Sequence, residues 1–170
     1  MIGRLIPALP ALAVAVAAGS AVSGAAATSS AAAAATSTSA PTQADTRPRK
    51  IVGTIVRFAS SRTSVNVTID RNNPAVRDFL SMLPLTLRLE EFTGREKIGY
   101  LPRKLRHRGS PGSDPKNGDL IYFVPWGNLG FYYNAEGIGY SDATIHLGIY
   151  KASPAQLKRL EGKVTVKVIR

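Results

Sequence analysis

Five side chains stand out as candidates for binding another molecule, because they place aromatic rings and polar groups in or beside loops. The chain has a single tryptophan, and it lies in a turn with the sequence PWG. Aromatic residues on loops are enriched in binding patches. The predicted binding residues are Tyr100, Arg103, Trp126, Asn128 and Tyr132. The alternative is that the aromatic residues are ordinary packed side chains and that Arg103 is a solvated loop charge. No catalytic residue is assigned.

Metal, nucleophilic and cofactor chemistry finds no support in the sequence. The chain has no cysteine, which excludes disulfides, thiolate metal sites and a cysteine nucleophile. His107 and His146 lack the spacing of metal ligands. Glu90 and Glu91 are adjacent, so on a strand they point to opposite faces and do not form a cooperating pair. Since no Gly-x-Ser-x-Gly elbow, phosphate loop or dinucleotide fingerprint is present either, we predict neither a metal nor a cofactor.

Basic side chains are densest between residues 103 and 108. The cluster consists of Arg103, Lys104, Arg106, His107 and Arg108. Such a cluster is typical of nucleic-acid binding, but no aromatic residues that could stack on bases are interleaved with it. The export signal described next also disfavours a nucleic-acid partner. We therefore interpret the cluster as a plain solvated loop. The alternative is that Arg103, Lys104, Arg106 and Arg108 bind an anionic cell-envelope polymer or lipid headgroups.

Residues 1–27 have the features of a secretory signal peptide. Arg4 supplies a positive start, residues 5–18 are uncharged and apolar, and small residues follow that a signal peptidase accepts. The predicted location is therefore secreted or associated with the cell envelope. The alternative is an uncleaved membrane anchor, because residues 5–27 are long enough to cross a bilayer. The Ala, Ser and Gly content of the second half and two prolines disfavour that alternative.

Two further segments follow the signal. Residues 28–47 are rich in Ala, Ser, Thr and Pro, contain almost nothing to bury, and are predicted to be a disordered linker. Residues 48–170 form the predicted domain. The formal net charge of the chain is +11, and the residues that produce it lie from Arg47 onward.

Alternating hydrophobic residues and turn signals predict a mainly β domain. We expect about eight strands, over residues 51–58, 64–70, 85–89, 97–101, 119–124, 128–133, 145–149 and 164–168. Two short helices are predicted to begin at the Asn73-Pro74 and Ser153-Pro154 pairs, with Gln156 completing a capping box at the second. Many short strands indicate either a closed barrel or a sandwich, and the pattern alone does not choose between them.

Several segments taken together resemble proteins of the bacterial cyclophilin-like fold. They are NPAVRDFLSMLPLTL at 73–87, EKIGYLPRKL at 96–105, GDLIY at 118–122 followed by PWGNL at 125–129, and IHLGI at 145–149. These segments fall in the order that the family has and extend over nearly all of residues 50–170. The resemblance implies a small closed β-barrel of about eight strands, with two short helices covering its ends.

The resemblance implies less about activity. Cyclophilins isomerise peptidyl-prolyl bonds with an arginine and surrounding phenylalanine, glutamine, tryptophan and histidine, and this set cannot be matched to motifs of the present chain. The only glutamine of the domain, Gln156, is predicted to cap a helix. The hypothesis is therefore an exported cyclophilin-like domain that binds a peptide or small ligand without catalysis. The alternative is a weak peptidyl-prolyl isomerase acting on exported proteins, with Arg103 beside an aromatic floor.

Overall fold

The computed structural model describes residues 50–170. The predicted signal peptide, residues 1–27, and the predicted linker, residues 28–47, lie outside the described residues. The remainder contains eight strands and two helices. In chain order they are β1 (Ile55–Ala59), β2 (Ser64–Thr68), α1 (Pro74–Ser81), β3 (Leu85–Phe92), β4 (Glu96–Tyr100), β5 (Asp119–Phe123), β6 (Asn128–Tyr132), β7 (Thr144–Tyr150), α2 (Pro154–Leu160) and β8 (Gly162–Val168).

The eight strands form a closed barrel in the order β1-β2-β7-β5-β6-β4-β3-β8. Every neighbouring pair is antiparallel, and the last strand closes the barrel by pairing with both β1 and β3. The prediction of a mainly β fold with about eight strands and two short helices is confirmed. The barrel, rather than the sandwich, is the arrangement that these strands adopt.

The inside of the barrel is filled by alternate residues of the strands, as the period of two requires. Phe58 lies near the middle of this core, with its ring edge-on to Phe131 at 4.8 Å and stacked with Phe79 of α1 at 6.5 Å. Leu157 and Leu160 of α2 are also fully buried in the same cluster. The two helices therefore add their apolar faces to the barrel core.

The helices begin where the sequence predicts, at an oxygen-bearing cap followed by proline. Asn73 accepts a hydrogen bond from the Val76 N–H at 2.9 Å, and Ser153 accepts one from the Gln156 N–H at 3.2 Å. The side chain of Gln156 differs from the predicted capping box. Its Nε2 donates to the carbonyl oxygen of Ser64 on β2 at 3.0 Å, so it fastens α2 to the barrel instead of to its own cap.

The first strand starts four residues later than its hydrophobic pattern predicts. Gly53 has a φ of 91°, a conformation that favours glycine, and residues 51–54 form a turn before β1 begins at Ile55. The Gly53 N–H donates to the Ile69 carbonyl at 2.7 Å, which ties this turn to the end of β2. Ile51 still packs against the core, which explains why this segment has the composition of a strand.

Candidate functional site

The outer surface of strands β4 and β6 brings together most of the predicted binding residues. The register places Asn128 opposite Tyr100, Gly130 opposite Ile98, and Tyr132 opposite Glu96. Leu129 and Phe131 point into the core, so the residues that alternate with them lie on the outside of the barrel. Three of the predicted residues, Tyr100, Asn128 and Tyr132, are therefore neighbours on one face.

The same outer surface carries a second, smaller set of packed apolar side chains. Ile98 of β4 is only 7% exposed and Ile121 of β5 only 1%, although neither belongs to the barrel core. Ile121 lies opposite Gly130 in the register, so both isoleucines flank the same glycine. Burial on the outside of a barrel requires cover from neighbouring side chains.

Trp126 lies across this surface. Its ring packs edge-on against Phe92 at the end of β3, at 5.4 Å between centroids, and against Phe123 at the end of β5, at 5.5 Å. Because β3 and β5 flank the β6–β4 pair, a ring that contacts both phenylalanines must span that pair. Trp126 nevertheless remains 49% exposed. We call this surface the outer aromatic face, defined by Phe92, Ile98, Tyr100, Ile121, Phe123 and Trp126.

A carboxyl group is buried beside the outer aromatic face. Glu96 is 9% exposed, and burial raises its pKa to about 7, with the negative charge of Glu91 acting in the same direction and the Tyr132 hydroxyl opposing it. The pKa of Tyr132 rises in turn to about 12, through burial and the nearby Glu96. A Cβ atom at position 130 would overlap the Glu96 carboxylate, so the carboxyl group occupies the space that Gly130 leaves.

Two side-chain oxygens at this site have no hydrogen-bond donor among the described residues. They are Oε2 of Glu96 and Oδ1 of Asn128, and they are the two such buried atoms in the described part of the chain. Asn128 uses its amide nitrogen to donate to the Leu129 carbonyl at 3.1 Å, which leaves its oxygen as an acceptor. Buried polar groups are nearly always hydrogen-bonded, so this pair of acceptors requires an explanation.

An open cleft lies next to these groups on the same side of the barrel. It has a volume of about 360 Å³ and is lined by Arg88, Glu90, Ile98 and Tyr100. Ile98 gives it an apolar surface, and the Arg88–Glu90 ion pair, 3.1 Å between Nε and Oε1, supplies charge of both signs. Tyr100, which lines the cleft, is 57% exposed and lies opposite Asn128 in the register.

Arg103 is the predicted binding residue that the structure places elsewhere. Its guanidinium makes two hydrogen bonds to the Asp78 carboxylate of α1, at 2.5 and 3.1 Å. The Arg106 N–H donates to the same carboxylate at 3.0 Å. These hydrogen bonds, Arg103 foremost, lower the pKa of Asp78. Arg103 therefore attaches the basic loop, defined as residues 103–108, to α1 and is not directed at the outer aromatic face.

A histidine between two carboxylates was not expected from the sequence. His146 Nε2 lies 2.8 Å from Asp70 and its Nδ1 3.5 Å from Asp119, with the ring largely buried on the outside of β7. Burial opposes the charged form, but the two carboxylates outweigh it and raise the His146 pKa. Alternation correctly places His146 away from the core. Its partners come from distant segments, and no local signal reveals them.

Glu96 is the other group that the sequence did not mark. It follows a turn and precedes a lysine, a setting typical of a solvated strand end, and its burial depends on a glycine 34 residues later. Within residues 50–170, no group of three or more histidine, cysteine, aspartate or glutamate side chains is placed to hold a metal ion. Nor does that part of the chain contain a helix of the length and apolar character needed to cross a membrane.

The fold places the protein among small antiparallel eight-stranded barrels with two helices. A sequence profile of the Cyclophilin-like family matches residues 58–169, which is most of the domain. The chain therefore belongs to the cyclophilin-like family, as the sequence motifs indicated.

A solved structure agrees with this assignment at the level of the fold. The solution structure of a hypothetical protein from Archaeoglobus fulgidus is similar, with a TM-score of 0.58 and 14% identity. The similarity covers 72% of this chain and the whole of that one. No curated protein sequence matches the chain. Membership of the family and the shared fold do not specify a ligand, so function is argued from the site.

Proposed function

We propose that this protein is an exported cyclophilin-like domain that binds a peptide or small ligand at the outer aromatic face without catalysing a reaction. One observation carries the proposal: two buried acceptor oxygens, on Glu96 and Asn128, have no donor within residues 50–170, and a half-exposed tryptophan lies on the same face. A ligand that displaces the Trp126 ring would gain apolar contact and could donate hydrogen bonds to both oxygens. The favoured ligand class is a molecule with amide or amino N–H groups.

The charge state of Glu96 extends this argument. With a pKa of about 7, the carboxyl group is a mixture of neutral and charged forms near neutral pH. A cationic amine favours the charged form, because a nearby positive charge lowers the pKa of a carboxyl group. The binding of a neutral amide depends less on whether Glu96 is ionised. Cationic ligands should therefore bind more tightly as the pH rises from 6 to 8.

The experiment is a screen of small amines, amides and guanidines against the ¹⁵N-labelled domain, residues 48–170. This range contains every strand of the closed barrel. The indole N–H of Trp126 and the side-chain NH₂ of Asn128 report on the site. We expect a subset of the fragments to shift both signals, and Glu96→Gln to weaken the amines at least tenfold. Glu136→Gln, which neutralises an exposed carboxylate on another loop, should leave binding unchanged.

Either of two results would contradict the proposal. One is that no fragment shifts the two reporter signals. The other is that binding is equally strong in Trp126→Ala and Glu96→Gln. A protease-coupled assay on a proline peptide tests the alternative, a weak peptidyl-prolyl isomerase. Since Asp78 binds the Arg103 guanidinium, we expect no activity that depends on Arg103. Isomerase activity that Arg103→Ala abolishes would show that the protein is an enzyme and not a binding module without catalysis.

The export half of the proposal depends on the N-terminal sequence: Arg4, the apolar run of residues 5–18 and the small residues after it. Cleavage should remove residues up to a site between 15 and 27, and a secreted or envelope-bound protein should result. The mass of the protein recovered from the producing cells measures this directly. A mass that still includes residues 1–18 would favour the uncleaved membrane anchor.

A further inference from the structure

Strand β2 is paired along its whole length on one side and only in part on the other. All five residues of β2 have partners in β1. On the opposite side only Val67 and Thr68 have partners in β7, namely Tyr150 and Ile149. The next pair of the ladder would join Asn66 to Lys151, but β7 ends at Tyr150. Strand β2 therefore presents a short edge over residues 64–66 in an otherwise closed barrel.

The hydrogen-bonding direction of this edge follows from its neighbours. Ile69, just after β2, donates its N–H to Thr54 and accepts from Gly53, so its backbone groups point toward β1. In an antiparallel ladder successive residues point to alternate sides, so Val67 and Val65 also face β1. The N–H and C=O of Asn66 consequently face away from β1, toward the space that β7 leaves. Ser64 faces the same way.

A groove occupies that space. Its volume is about 650 Å³ and it is open to solvent along one side. Polar side chains line it, namely Asn66, Asn117, Asp119, Lys151 and Gln156. The groove lies where β7 ends, at Tyr150, whose N–H donates to the Gly118 carbonyl on the side away from β2 at 2.7 Å.

One contact already shows what this edge accepts. The Ser64 carbonyl, the first acceptor along it, receives a hydrogen bond from Nε2 of Gln156, a side-chain amide that takes the place of a backbone N–H. The following acceptor and donor, both on Asn66, have the spacing that a strand backbone matches. A polypeptide main chain therefore fits this edge. The exposed Lys151 lies beside it and can contact an acidic side chain of the bound segment.

We propose that the β2 edge binds an extended polypeptide segment of another protein, which adds a short strand at Asn66 in the manner of β-augmentation. Main-chain hydrogen bonds to Asn66 provide the affinity, and the groove between Asn117 and Gln156 selects among side chains. This surface is separate from the outer aromatic face, and the proposal stands or falls independently of the one for that face.

The test compares Asn66→Pro with Asn66→Ala. Both variants lose the side-chain bond to Arg57, but only proline removes the N–H that faces the groove. That N–H does not belong to the β1 ladder, and edge strands tolerate proline. A displayed library of random nonapeptides is selected against residues 48–170. We expect enriched peptides that bind Asn66→Ala as they bind the parent, and Asn66→Pro at least tenfold more weakly.

Folding and occupancy are controlled separately. Thermal unfolding shows whether Asn66→Pro is folded; if it is not, amide exchange of the parent decides, with the Asn66 N–H slowed at least tenfold by an enriched peptide. Peptides that bind without protecting that amide would overturn the proposal, as would a selection that enriches none. A dimer that Asn66→Pro dissociates would also overturn it, because the edge would then belong to a second copy of the chain.

Discussion

At the scale of single residues, Glu96 is the group whose environment departs most from what its sequence setting suggests. A glutamate at the start of a strand is usually solvated, yet here it fills the space above Gly130. One of its oxygens has no donor in the part of the chain that the structure describes. Burial disfavours the charged form, and the pKa rises from 4.5 to about 7. The buried Glu96 carboxylate therefore lowers the stability of the domain above neutral pH, where it is ionised.

Glu96→Gln should stabilise the domain at high pH and leave it unchanged at low pH. Between pH 4.5 and 7 the folded state binds more protons at Glu96 than the unfolded state, so the parent loses stability as the pH rises through this range. Glutamine does not ionise. At pH 8 the variant should therefore be more stable by at most about 3 kcal/mol, and near pH 4 by almost nothing.

Denaturant unfolding of both proteins across this pH range measures the difference. Glu136→Gln serves as the control, because it removes a carboxylate from an exposed position outside the strands. Parallel pH profiles of the parent and Glu96→Gln would show that the carboxyl group ionises in the folded state as it does in water.

At the scale of elements, the two helices share one sequence signal but differ in how their caps are embedded. Asn73 is buried, and besides capping α1 its Nδ2 donates to the His146 carbonyl at 3.3 Å. Ser110 adds a hydrogen bond to the same cap at 3.3 Å. Ser153 caps α2 at an exposed position. The first cap therefore joins α1 to the barrel, whereas the second acts within its own helix.

Asn73→Ala should cost more than Ser153→Ala for this reason. Loss of an exposed cap typically costs about 1 kcal/mol. Loss of Asn73 also leaves the buried His146 carbonyl without its donor, and the total should reach about 2–3 kcal/mol. Urea unfolding midpoints compare the two variants, and equal losses would show that the barrel contact contributes nothing.

Whether a feature can be predicted from the sequence depends on how far apart in the chain the residues that determine it lie. Local patterns correctly predicted Val65 and Val67 as inward residues of β2 and the Asn73-Pro74 start of α1, because neighbours along the chain determine them. The outer aromatic face could be predicted only as a set of candidates. Trp126 covers it because β3 and β5 flank the β6–β4 pair, and that order is a property of the closed barrel.

At the scale of the whole molecule, the positive charge is the dominant feature. The formal charge of +11 belongs to the C-terminal part, and we propose that the basic loop directs it toward anionic envelope polymers or lipid headgroups. Asp78 neutralises part of the Arg103 charge, and Lys104 Nζ donates to the Pro125 carbonyl at 3.2 Å. Arg106 and Arg108 are both exposed, so we expect them to make most of the contacts with an anionic partner.

Binding to anionic vesicles should therefore fall in Arg106→Gln/Arg108→Gln and weaken with salt. Lys163→Gln/Lys167→Gln is the matched control, because it removes the same charge from exposed positions on β8. Cosedimentation at about 50 and about 200 mM salt compares them, a range over which contacts between exposed charges are progressively screened. Equal losses in the two double variants would mean that net charge alone attracts the protein, and salt-independent binding would exclude an electrostatic partner.

The place of β8 in the barrel has a consequence for the order in which the domain can form. Because this last strand pairs with both β1 and β3, the sheet stays open along two edges until residues 162–168 are available. All the other strands precede β8 in the chain, so they are synthesised before the strand that closes the barrel. Until then β1 and β3 are unpaired sheet edges, the kind of surface to which strands of other chains can add.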